Sequence, residues 1–279
     1  MRRPHRPSGQ ALPRRSLRAS ALLAAALLLS GCAVWGWFAA VWPDGGAALG
    51  TDYRYGALPG QSLDLHGPRA SGQARPVLLF LHGAAGPGPH RQDYEFVGKA
   101  LADYGLLVAV ADYGAGAATA VQRAPAAGAA VDWLRHHSAS HGADAELLFL
   151  LGEDAGVAVA LEWLRLQAQP GVVAGVIALS TQATAVAPQD LPRDPPPLLL
   201  LSGASDPIPL AMARGLARFW RHAGGNVRQF SYPGADAGDL LKALRTPRFG
   251  PPVREDIAAF VRARSQEVKP RHPWLPASN

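Results

Sequence analysis

From Val77 onward, short runs of apolar residues alternate with segments in which apolar residues recur at helical spacing. The predicted strands are 77–81, 106–111, 147–151, 172–179, 198–201 and 227–232, and the predicted helices are 94–104, 124–136, 155–167, 210–222 and 253–264. Strands that are apolar on both faces and separated by helices are typical of a mainly parallel sheet covered by helices on both faces. The sequence therefore predicts an α/β fold, in which functional residues lie beyond the carboxyl ends of the strands.

The remaining segments lack this alternation and define the predicted boundaries of the domain. We expect residues 1–31 to be a lipoprotein signal peptide, 32–50 a membrane-proximal linker, 51–265 one α/β domain, and 266–279 a flexible tail. Residues 52–66 are predicted to form a β-hairpin that turns near Gly60. The proline-rich segment 188–197 is short, so any cap over the site is small or absent.

The distribution of charge argues against a nucleic-acid-binding domain. The whole chain carries a formal net charge of +6, and residues 1–31 contain six arginines and no acid. The rest of the chain is therefore neutral and lacks the basic stripe that binding to phosphates requires.

The N-terminus combines a basic stretch, an apolar run over 19–29, and the tetrapeptide Leu29-Ser30-Gly31-Cys32. That tetrapeptide resembles the bacterial lipobox, which implies that Cys32 is lipidated and becomes the first residue of the mature protein. The alternative is an uncleaved anchor, because no charged residue interrupts 19–43. Either alternative makes the membrane a partner and predicts an extracytoplasmic domain in the cell envelope. Ala33 after the cysteine favours the outer membrane, with the domain facing the periplasm.

The strongest local signal for a functional site follows the apolar run 147–151. There Gly152-Glu153-Asp154-Ala155-Gly156 precedes an amphipathic helix. Two glycines at this spacing allow a tight strand-to-helix turn that exposes the central side chain above the sheet, as in a nucleophile elbow. Here the exposed side chain is the carboxylate of Asp154.

Several motifs between residues 53 and 260 resemble bacterial carboxylesterases of the feruloyl-esterase-like or hormone-sensitive-lipase-like kind. These include Leu81-His82-Gly83, Asp112-Tyr113, Gly203-Ala204-Ser205-Asp206 and Tyr232-Pro233-Gly234. The resemblance implies an α/β-hydrolase fold, a small-molecule ester as the pocket ligand, and neither a cofactor nor a metal.

In such esterases a serine attacks the carbonyl, a histidine takes its proton, and an aspartate orients the histidine. The resemblance places the nucleophile position at Asp154, where serine is expected, and the triad acid at Asp206. It places the base at Ala237, where histidine is expected. Nucleophile and base act as a unit, so their joint loss predicts a pseudoenzyme with a binding or scaffolding role.

The loop that stabilises the oxyanion also departs from the family pattern. The resemblance implies an oxyanion-type loop at Gly83 and Ala84, completed by Ala155 after the nucleophile position. Alanine keeps its backbone N–H, but a carboxylate at Asp154 would repel an oxyanion held there.

Three alternatives remain open from the sequence. The protein could be an ester hydrolase with a displaced base, for which His222 and His272 are the remaining histidines near this part of the chain. It could use Asp154 as a nucleophile, as epoxide hydrolases and haloalkane dehalogenases use aspartate. It could instead bind a divalent cation or a cationic ligand through acidic residues at the strand ends, namely Glu153, Asp154, Asp206, Asp236 and Asp239.

Overall fold

The computed structural model describes residues 47–68, 74–83, 90–114, 119–167, 171–182, 191–246 and 250–268. All of these described residues belong to one compact unit. Within the described ranges, one sheet of eight strands has the order β1-β2-β4-β3-β5-β6-β7-β8. The strands are β1 (Ala47–Arg54), β2 (Ser62–Gly67), β3 (Arg75–Leu81), β4 (Leu107–Ala111), β5 (Ala143–Glu153), β6 (Gly175–Leu179), β7 (Leu198–Gly203) and β8 (Val227–Tyr232).

Most of the sheet is parallel. Only β2 is antiparallel to its neighbours, pairing with β1 on one side and β4 on the other, while β3 through β8 pair in parallel. The carboxyl ends of the six parallel strands therefore meet at one edge of the sheet.

Six α-helices cover the two faces of this sheet in the described part of the chain. They are α1 (Glu95–Ala102), α2 (Ala120–His137), α3 (Ala155–Leu166), α4 (Pro207–His222), α5 (Ala237–Arg245) and α6 (Val253–Glu267). Helices α2, α3 and α4 contribute to one apolar cluster, and α1, α5 and α6 contribute to the other. Along β3, Val77 and Leu79 enter the first cluster while Leu78 and Phe80 enter the second, because successive side chains of a strand point to opposite faces.

The predicted mainly parallel sheet with helices on both faces is confirmed, and the predicted hairpin turns at Gly60, which has a φ of 76°. Two boundaries differ from the prediction. Strand β1 begins at Ala47, inside the predicted linker, because it is an edge strand that pairs with β2 without needing an apolar run of its own. Helix α6 continues to Glu267, past the predicted start of the tail.

Helix α5 was not predicted from the sequence. Its N-cap, Asp236, accepts a hydrogen bond from the backbone N–H of Asp239, and the Asp239 side chain accepts one from the N–H of Asp236 in return. This reciprocal pair is a capping box, a signal that starts a helix.

The predicted signal peptide, Cys32 and the tail beyond residue 268 lie outside the described residues. Among the helices that are described, none is both long enough and apolar enough to cross a bilayer.

Candidate active site

The turn between β5 and α3 has the geometry of a nucleophile elbow. Asp154 lies between the two elements with φ 48° and ψ −113°, a conformation that costs free energy for any residue with a side chain. A Cβ at Gly156 would lie 2.0 Å from the carbonyl oxygen of Leu81, and one at Gly152 would lie 2.6 Å from the Cα of Val157. Both glycines are therefore required by the close packing of strand, turn and helix.

Asp154 is half-buried at this turn. Its backbone N–H donates to the carbonyl of Leu179 on β6, at 3.0 Å. Burial raises the pKa of its carboxyl group, although hydrogen bonds from the Ala155 N–H and the Gln182 side chain act in the opposite direction. The carboxylate therefore rests against the backbone N–H that an esterase would offer to an oxyanion.

Glu153 is buried beside Asp154 and contacts the loop after β3. Its Oε2 accepts a hydrogen bond of 2.6 Å from the backbone N–H of Gly83. Burial raises the pKa of Glu153, the Gly83 N–H lowers it, and the neighbouring Asp154 raises it further, with a net increase. A Cβ at position 83 would lie 2.6 Å from this same oxygen, so a larger residue there would displace the Glu153 carboxyl group.

The backbone donors of the oxyanion-type loop thus face carboxylates of the chain itself. The Gly83 N–H donates to Glu153, and the Ala155 N–H lies close enough to the Asp154 carboxyl group to lower its pKa. Ala84 lies outside the described residues. An oxyanion entering this part of the site would meet two acidic groups rather than free donors.

The structure brings the triad-acid position and the base position together. Asp206, the N-cap of α4, accepts a hydrogen bond of 2.6 Å at Oδ2 from the backbone N–H of Ala237. Ala237 is the first residue of α5, so its N–H is one of those that a helix leaves without an internal partner. At these two positions the chain has a carboxylate that caps a helix and a methyl group in place of an imidazole.

Within the described residues, no histidine forms a hydrogen bond or ion pair with Asp154 or Asp206. His82, the histidine of the oxyanion-type loop, has its Nδ1 2.9 Å from the carbonyl oxygen of Gly83 and stacks on the ring of Tyr94. His222 ends α4, and His272 lies outside the described residues.

Arg91, a buried residue that the sequence analysis did not single out, bonds to three aspartates near His82. Arg91 donates from Nε to Asp64 at 3.0 Å, from Nη1 to Asp112 at 2.7 Å, and from Nη2 to Asp52 at 2.8 Å. These contacts join the 3-10 turn 91–94 to the antiparallel end of the sheet.

Asp112 links this arginine to the loop. Its Oδ1 lies 3.6 Å from Nε2 of His82, which is too long for a hydrogen bond. Burial would raise the pKa of Asp112, but its contacts with His82 and Arg91 outweigh burial and lower it. The hydroxyl of Tyr113 also donates to the carbonyl oxygen of His82. The backbone leading to Gly83 is therefore held from two sides.

The acidic residues proposed as a cation site have other partners in the structure. Asp236 and Asp239 form the capping box of α5, and Asp206 accepts from Ala237. Among the described residues, no group of three or more histidine, cysteine, aspartate or glutamate side chains is placed to hold a metal ion.

Comparisons with known proteins give a match in structure only. No family model matches the sequence, and no curated protein matches it. Among solved structures, esterase B from Lactobacillus rhamnosis is 18% identical with a TM-score of 0.65, covering 86% of this chain and 95% of that one. The chain has the α/β-hydrolase fold.

Two further esterases have similar folds. A truncated carbohydrate esterase from gut microbiota is 15% identical with a TM-score of 0.63, covering 81% of this chain and 99% of that one. An esterase from the planctomycete Thermogutta terrifontis is 16% identical with a TM-score of 0.60, covering 85% of this chain and 97% of that one. At such identities the likeness concerns the fold, and any activity has to be argued from the site.

Proposed function

We propose that this protein is a catalytically inactive relative of the bacterial carboxylesterases. It is anchored in the cell envelope through a lipidated Cys32, and its pocket binds a ligand without cleaving it. The observation that carries the proposal is the carboxylate of Asp154 at the elbow, in the conformation that an esterase gives to its serine.

The charge of the site opposes acyl transfer. When a nucleophile attacks an ester carbonyl, negative charge develops on the carbonyl oxygen and has to be stabilised by hydrogen-bond donors. In this protein the N–H group of Gly83 donates to the carboxyl group of Glu153, and the N–H group of Ala155 lies near the carboxyl group of Asp154. An incoming substrate oxygen would have to displace these carboxylates and remain beside their charge.

No histidine of the described residues contacts Asp154 or Asp206, which argues against both alternative hydrolases. A serine esterase needs a base to activate its nucleophile, and an aspartate-nucleophile hydrolase needs one to activate water in its second step. The position expected for that base is Ala237, whose contact with Asp206 is made through the backbone. This contact serves to cap α5, which is a structural role.

Turnover measurements test the proposal. We expect the full chain to hydrolyse short p-nitrophenyl esters at the same background rate as its Asp154→Ala variant. Asp194→Ala is a matched control, because Asp194 is an aspartate that also has a positive φ but precedes β7 instead of lying at the elbow. Turnover that Asp154→Ala abolishes and Asp194→Ala preserves would show an active hydrolase with Asp154 as a working residue.

The anchoring part of the proposal rests on the lipobox-like tetrapeptide ending at Cys32. We expect the mature protein to begin at Cys32 and to carry acyl chains, as measured by intact mass after expression in a bacterium that processes lipoproteins. Cys32→Ala should block both cleavage and lipidation. A wild-type mass that still includes residues 1–31 would instead indicate the uncleaved anchor.

A further inference from the structure

The outward face of α4 carries a stripe of apolar and small residues. Ile208, Met212, Gly215 and Phe219 are spaced by four, three and four residues, so they lie on one side of the helix. Ile208 is 63% exposed and Phe219 is 38% exposed. A Cβ added at Gly215 would have no neighbour within 4 Å, so the surface between these side chains is open.

Beside this stripe the helix presents only positive charge. Arg214, Arg218 and Arg221 are exposed, and α4 contains neither aspartate nor glutamate. Within the described part of the chain, no carboxylate forms an ion pair with any of the three. At 100° per residue, the side chains of Arg218, Arg214 and Arg221 lie about 80°, 120° and 140° around the helix axis from Ile208, so they follow one flank of the stripe. The other flank of the stripe is occupied by core residues, namely Pro209, Ala213, Leu216, Ala217 and Trp220.

We propose that this face of α4 docks on the surface of an anionic bilayer. Apolar side chains beside a row of cations are the pattern by which a helix lies in the interface of a membrane, with the apolar groups below the headgroups and the arginines among the phosphates. Each arginine near an anionic surface adds a favourable electrostatic contribution that falls off within a Debye length.

In the proposed function the lipidated Cys32 tethers the domain to a bilayer, and that bilayer is therefore the surface that α4 contacts. The inference rests on this proposed tether. Residues 33–46 separate Cys32 from β1, and a chain of this length reaches at most about 50 Å. A domain held so close to a bilayer has a high effective concentration at its surface, so a weak contact made by two apolar side chains and three arginines is enough to orient it.

Site-specific fluorescence tests the docking on the full, lipidated chain. Cys32 is the only cysteine, and its thiol is blocked by lipidation, so Ile208→Cys introduces a single site for an environment-sensitive NBD dye. Leu58→Cys is the matched control, because Leu58 is 64% exposed but lies in the β1–β2 hairpin at the other end of the sheet. The labelled proteins are reconstituted into phosphatidylcholine vesicles with or without phosphatidylglycerol, each containing doxyl-labelled lipid as quencher.

In vesicles with phosphatidylglycerol, we expect blue-shifted emission and strong lipid quenching at position 208, and neither at position 58. Removing the anionic lipid, or replacing the arginines by Arg214→Gln, Arg218→Gln and Arg221→Gln, should abolish the quenching. Unquenched dye at position 208 in anionic vesicles overturns the proposal, as does equal quenching in neutral vesicles. Dye that is shielded only in native envelope membranes would indicate a protein partner and also overturn it. Failure of the chain to float with the vesicles would instead refute the lipid anchor.

Discussion

The elbow at residues 152–156 and the pair formed by Asp206 and Ala237 lie at the same edge of the sheet. They differ in how closely each resembles the corresponding part of an esterase site. The elbow retains both glycines and the positive φ of its central residue. The pair retains the acid, but the position of the base has become the first residue of a helix. The elbow therefore has the backbone of a hydrolase elbow, while under the proposed function the second region has only a structural role.

The difference shows which features the fold itself requires. Gly156 faces the carbonyl of Leu81 so closely that any side chain would push α3 away from β3, whether or not the site is active. The side chain at position 237 is not constrained in this way, because the contact with Asp206 uses only the backbone N–H. Under the proposed loss of catalysis, packing alone preserves the first region and leaves the side chain of the second free to change.

The largest expected effect comes from filling the elbow. Gly156→Ala should lower the free energy of unfolding by about 3 kcal/mol, because its Cβ would overlap the Leu81 carbonyl oxygen. Gly215→Ala is the control on open helix surface and should be neutral or stabilising by up to about 1 kcal/mol. Urea unfolding of the full chain in detergent measures both. Equal midpoints for the two variants would contradict the packing argument.

A smaller effect is expected at the acid position. Asp206→Ala removes the acceptor for the Ala237 N–H and should lower the free energy of unfolding by about 1 kcal/mol. Asp206→Asn keeps an acceptor oxygen and should lie close to wild type in the same assay. If Asp206→Ala unfolded at the wild-type midpoint, the capping role that we assign to this residue would have to be abandoned.

The smallest effect is a change in how stability depends on pH. The pKa of Glu153 is raised in the folded state, mainly by burial, so its contribution to stability is present below the ordinary carboxyl pKa of 4.5 and is lost as pH rises through the raised value. Glu153→Gln keeps an acceptor for Gly83 but cannot ionise. We expect the variant to gain stability relative to wild type as pH increases from 4 to 7. A difference that stays constant over this range would mean that Glu153 is not perturbed.

Local sequence patterns predicted the elbow and most of the sheet, because adjacent residues determine a tight turn and a buried strand. They did not predict the first part of β1 (47–51), whose partly exposed residues depend on pairing with β2, or α5, which begins at the position where the resemblance implies the catalytic base. The contact between Gly83 and Glu153 joins residues 70 positions apart, and the Arg91 contacts join three separate segments. Such contacts form only when the sheet is assembled, so no local sequence pattern predicts them.

The central claim is that no nucleophile in this pocket reacts with a carbonyl or phosphonate centre. Intact-protein mass spectrometry after incubation with a fluorophosphonate probe tests it most directly, because an activated serine in an α/β-hydrolase forms a stable covalent adduct. We predict that the mass of the protein does not change. A stoichiometric adduct that peptide mapping assigns to a single serine would contradict this account and identify an active esterase.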